Sequence, residues 1–142
     1  MTDNDEELFT AYRATDFWVE DGPGDPFSLR CGERSTPLDS LLEANGLCDW
    51  AYVTACNPGS LLLSQEGNAR RMQALEERVH RLSCVVYHGK GVGIVGDWPP
   101  EPSLLILGVG EGLAREIAAE FGQKAIVVGR QGEPARLAWV AI

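Results

Sequence analysis

The chain has 142 residues, 44% of them hydrophobic and 23% charged, which is the length and balance of one ordinary soluble domain. Its formal charge of -9 is lopsided: residues 1–49 carry 12 acids against 3 bases, and residues 50–142 carry 9 of each. That balance excludes a protein that coats phosphate backbones through a Lys/Arg excess, and no segment approaches the ~20 apolar residues of a membrane span.

Residues 4–13 predict a short first helix, with Leu8, Phe9 and Tyr12 on one face and acids in the first turn. Residues 15–20 and 27–31 predict two strands of a hairpin around the turn Asp21-Gly-Pro-Gly-Asp-Pro26. Thr36-Pro37 reads as an N-cap followed by proline at the first helical position, with Gly46 closing that helix. A buried strand is expected over 49–56, broken by Asn57-Pro-Gly-Ser60. Ser64 then caps the longest helix, about 65–82, whose apolar stripe is Met72, Leu75, Val79 and Leu82. Further strands are expected at 84–88, 92–95 and 103–107, a helix from Gly110/Glu111 to Phe121, and a final hairpin of 125–128 with 135–141. Recurring strand–helix–strand units predict some parallel pairs with right-handed crossovers. The expected fold is α/β, with α+β as the alternative: one globular domain over 1–142, with a single mixed sheet, antiparallel hairpin edges and about four helices.

The N-terminus has neither a basic n-region nor an apolar h-region, so a signal peptide is not expected and the cytoplasm is. Cys31, Cys48, Cys56 and Cys84 form no C-x-x-C and read as reduced thiols.

Four segments stand out together. They are Thr54-Ala-Cys-Asn-Pro-Gly-Ser60, Leu63-Ser-Gln-Glu-Gly-Asn-Ala-Arg-Arg71 with Leu75, Gly96-Asp-Trp-Pro-Pro-Glu-Pro-Ser-Leu104, and Phe121-Gly-Gln-Lys-Ala-Ile-Val127. Over about residues 10–130 the chain resembles the bacterial family called domain of unknown function 3293 (DUF3293). That family's pattern is T-A-x-N-P-x-S, L-S-x-x-x-N-x-x-R, G-D-W-P-x-E-P-S and F-G-Q-x-A. The resemblance implies a small single-domain bacterial protein and no activity. The position of Cys56 is usually aromatic in that pattern, which implies that Cys56 is not a family nucleophile.

Read from the residues alone, the same loop and helix are where a site belongs. Ligands in open α/β sheets bind beyond strand ends, near helix N-termini that favour anions. Ser64, Asn68, Arg71 and Leu75 follow at steps of 4, 3 and 4, so Asn68 and Arg71 face the loop rather than bulk water. Asn57, Ser60, Ser64, Asn68, Arg71, Asp97 and Trp98 are therefore the candidate ligand-binding residues, with no catalytic set and no metal site assignable. A second reading stays open beside it. In that reading Asn57-Pro58 makes a turn, Ser64 only caps, Asn68 and Arg71 tie the loop down, Asp97 holds its turn, Trp98 plugs a proline-rich loop, and Gln123 bonds backbone at a strand start.

Other signals are weaker. Leu107-Gly-Val-Gly-Glu-Gly112 lacks the G-x-G-x-x-G spacing, and Glu111 would repel a phosphate. His80, Cys84 and His88 are four apart, but a strand interrupts the helical spacing a zinc site would use. Neither histidine is placed beside Cys56 as a base. The expectation is thus a binding or regulatory domain taking a small anion or a protein partner at 57–71. The alternative is a small enzyme for a phosphate- or carboxylate-bearing molecule at the same place. No cofactor, membrane or nucleic-acid partner is expected.

Overall fold

The computed structural model describes residues 3–94, 96 and 98–140. The elements are α1 (Asp3–Arg13), β1 (Thr15–Val19), β2 (Phe27–Leu29), α2 (Thr36–Asn45), β3 (Asp49–Val53) and a 3₁₀ turn (Pro58–Ser60). They continue with α3 (Gln65–His80), β4 (Val85–Gly93), β5 (Glu101–Leu107), α4 (Glu111–Glu120), β6 (Ala125–Arg130) and β7 (Arg136–Trp139). Seven strands form one sheet in the order β2-β1-β4-β5-β3-β6-β7. With four helices on it, this is an α/β fold.

All six strand ladders are antiparallel, which corrects the expectation of parallel pairs. The helical crossovers do join strands of like direction, but never neighbours. β3 and β4 are joined through α3 and have β5 between them; β5 and β6 are joined through α4 and have β3 between them. Two such split units interlock as β3-α3-β4-β5-α4-β6, the ferredoxin-like β-α-β-β-α-β arrangement. The β1–β2 hairpin extends that core at β4, and β7 extends it at β6. The sheet curls until its ends touch: Cys31, just past β2, makes an isolated parallel bridge with Ala135, just before β7. Bonds Gly32 N–H to Ala135 O (2.7 Å) and Ala135 N–H to Glu33 O (3.0 Å) close that seam, leaving the short edge strands partly covered.

Both faces of the sheet are buried. On one, Leu75 and Val79 of α3 and Ala114, Ile117 and Ala118 of α4 pack on Ala51, Val53, Leu104, Ile106 and Ile126. On the other, Leu38 and Leu42 of α2, with Tyr12 of α1 against them, pack on Phe17, Trp50, Tyr52, Leu105, Leu107 and Val127. This is why 104–107 is continuously apolar rather than alternating. Leu75 is fully buried, so Leu75→Ala should cost about 2–5 kcal/mol.

Local boundaries follow capping chemistry. Ser35, not Thr36, caps α2, its Oγ accepting from the Leu38 N–H at 3.2 Å. Thr36 instead opens the helix beside Pro37. Gly46 ends α2 in the left-handed region (φ 66°). β4 runs to Gly93, well beyond the expected 88, because Gly89 lets β1 come close: a Cβ there would lie 1.7 Å from the Trp18 carbonyl oxygen. The expected strand at 92–95 is partly absorbed into β4; Val95 lies outside the described residues. Among the described residues, no helix is long and apolar enough to cross a membrane.

Candidate functional site

β3 ends at Val53, and the chain leaves the sheet as a loop that reaches the N-terminus of α3 at Gln65. The loop is tightly wound. Asn57 (φ 48°) and Ser60 (φ 64°) are non-glycine residues in the left-handed region, with Gly59 (φ 62°) between them. Such conformations persist where the surroundings over-determine them, and here they do.

Asn57 is 4% exposed, and every polar arm it carries toward the protein is engaged. Its backbone N–H donates to Oδ1 of Asn68 (2.9 Å), and its Nδ2 donates to Oε2 of Glu101 (2.6 Å). Its Oδ1 accepts from the Leu63 N–H and from Nδ2 of Asn68, each at 2.9 Å. Arg71, one helical turn on, donates Nε to the Ala55 carbonyl at 2.7 Å and an Nη to the Phe121 carbonyl. Gln123 Nε2 donates to the Cys56 carbonyl (2.9 Å). Gly59 N–H donates to the Gly122 carbonyl (2.8 Å), at a point where a Cβ on Gly122 would sit 2.9 Å from Pro58 Cβ. Ser64 caps α3 through the Gly67 N–H (3.0 Å). The four sequence segments that carried the resemblance thus meet in one knot around Asn57.

The structure brings Asn57, Asn68 and Arg71 together, with Ser60 and Ser64 on the same loop. Trp98 joins through Glu101, whose Oε2 accepts from the indole N–H at 3.0 Å. Asp97 lies outside the described residues. Glu101 is a residue that sequence reasoning missed; it sits in a proline-rich run whose pattern gives no facing, although it belongs to the G-D-W-P-P-E motif. Also missed is Leu61-Leu62-Leu63, whose side chains are 70%, 58% and 39% exposed, beside Trp98 at 45%. Three consecutive leucines in a loop were the available signal.

The weaker candidates resolve as follows. Cys56 is 1% exposed, and burial pushes its thiol above the usual range, away from nucleophilic character. Glu111 at the start of α4 pairs with Arg115 (3.5 Å) and with Arg136. Glu111 and Arg136, with Asp49 and Arg130 (paired at 2.9 Å), rim a recess of about 280 Å³ at the far end of β3 from the loop. His88 lies between Asp21 on Nδ1 (2.6 Å) and Glu76 on Nε2, so the two carboxylates approach from opposite edges of the ring. Among the described residues, no group of three or more His, Cys, Asp or Glu is placed to hold a metal ion.

Fold and knot together define a small α/β protein, with a split-βαβ core and a polar network that fixes one loop against α3. The chain belongs to the DUF3293 family, described as proteins of unknown function, whose model matches residues 53–126, just over half of the 142. The matched span runs from the end of β3 into β6 and contains the whole knot. No curated protein and no solved structure matches the chain.

Proposed function

We propose that this is a binding domain which docks a protein partner on the loop 57–64 and Trp98. One observation carries the reading: Leu61, Leu62 and Leu63 stand outward on a loop whose polar groups are satisfied from within. Full burial of a leucine side chain is worth about 1.5–3 kcal/mol, so three held in water at one place are a ready docking element. Rigid presentation helps, because little loop entropy is lost on binding. What favours a protein over a small anion is the direction of Arg71, whose Nε and one Nη meet backbone carbonyls rather than solvent. The enzyme alternative asks for an outward nucleophile or cation in the knot, and Cys56 and Arg71 both point inward.

A photo-crosslinking residue placed at Leu62 should give a discrete adduct in cells of the source organism. The same residue at Leu113, an exposed apolar position on α4, should not. No adduct from position 62, or identical adducts from both, would refute the docking surface.

A further inference from the structure

Resting on that docking reading, we propose that the partner is a protein segment carrying a lysine or arginine between apolar side chains. Glu101 is half-buried at the edge of the leucine loop, linked through Asn57 to the Leu63 backbone and directly to the Trp98 indole. Both of those bonds fall on Oε2; Oε1 has no partner among the described residues, and no cation there pairs with this carboxylate. The arginines near at hand on α3 are otherwise engaged. Arg71 turns into the loop, and Arg70 is paired with Glu66 at 3.2 Å.

Among the described residues, the leucine surface therefore carries an uncompensated negative charge at Glu101, hydrogen-bonded to the indole of Trp98, a residue that is 45% exposed. An indole over which a cation can sit, with a carboxylate at its N–H edge, suits a basic side chain twice, by ion pairing and by cation–π attraction. The leucines, tied to the same carboxylate through Asn57 and the Leu63 N–H, take the flanking apolar groups. An acidic segment would meet Glu101 as a like charge.

The test selects peptides from a random display library on the full chain, with counter-selection on Leu62→Ser. Leu62→Ser replaces an exposed side chain, and circular dichroism with a melting curve checks that it stays folded. The expected result is enrichment of sequences with Lys or Arg flanked by apolar residues. Their affinity should fall about tenfold in Glu101→Gln, the loss of about one charge-assisted contact, and should fall with added salt. Gln keeps an oxygen for the Asn57 and Trp98 donors, so the loop is held while the charge is removed. Enriched peptides without a basic residue, or binding indifferent to Glu101→Gln, overturn the basic partner and leave the leucine docking surface standing. Absence of any Leu62-dependent peptide also overturns it, and the crosslink from position 62 then decides the docking reading separately. Leu62-dependent dimerisation in sedimentation would identify a second copy of the chain as the occupant, and that too would overturn the proposal.

Discussion

Asn57 and Asn68 are bonded to each other twice, backbone N–H to Oδ1 in one direction and Nδ2 to Oδ1 in the other, both at 2.9 Å. The pair closes the loop onto the first turns of α3 and holds Asn57 at its left-handed φ of 48°. Asn68→Ala leaves the backbone N–H of a residue 4% exposed without its acceptor. The expected loss is about 2–3 kcal/mol, read by urea unfolding, together with faster proteolysis at Leu61–Leu63. A loss under about 0.5 kcal/mol, the range of a neutral surface change, would mean the loop holds itself.

Arg71 works as a fork between two carbonyls, Ala55 on the loop and Phe121 at the end of α4. A lysine ammonium is a single point and cannot span both. Arg71→Ala should therefore cost about 2–4 kcal/mol, and Arg71→Lys should recover less than half of it. Inorganic phosphate should leave the wild-type Tm unchanged. A phosphate-dependent rise that vanishes in Arg71→Lys would restore the small-anion site.

The steps of 4, 3 and 4 through Ser64, Asn68, Arg71 and Leu75 made the inward facing of Asn68 and Arg71 legible from sequence, because helical period fixes facing. What those side chains meet was not legible. The Asn57–Glu101 and Arg71–Phe121 bonds join residues 44 and 50 positions apart, and no local pattern encodes a contact at that distance. Element positions likewise followed from turn residues and caps, whereas strand order did not. β3, α3 and β4 read as a crossover between neighbours, and nothing in those residues says that β5 inserts between them. The long β4 was obscured by Gly89, Gly91 and Gly93, which read as loop; all three pair with β1, and Gly89 admits it at close range.

Gly122 couples the α4–β6 turn to the loop. It sits at φ 71°, and its carbonyl accepts the Gly59 N–H. Gly122→Ala adds left-handed strain of about 1–2 kcal/mol, and its methyl would press on Pro58 Cβ at 2.9 Å. The expected result is a lowered Tm with easier proteolysis at the loop. A neutral effect would show that Pro58 yields freely.

His88 joins three elements: its own strand β4, α3 through Glu76, and the β1–β2 turn through Asp21, which also accepts the His88 backbone N–H at 2.5 Å. The bond to Glu76 raises the imidazole pKa above its usual 6.5 most strongly, the bond to Asp21 and the charges of both carboxylates add to the rise, and burial opposes it. A group whose folded pKa is raised gives stability that is complete below its unfolded value and is lost as pH climbs through the folded one. Once neutral, the ring can donate to only one of its two carboxylates. The stability gap between wild type and His88→Gln should therefore be widest below pH 6.5 and narrow as the pH climbs above it, measured by urea unfolding at each pH. The His88 ring should titrate above 6.5 by NMR. A gap that is constant or widens with pH, or a midpoint at or below 6.5, would show that the two carboxylates do not hold the ring as a cation.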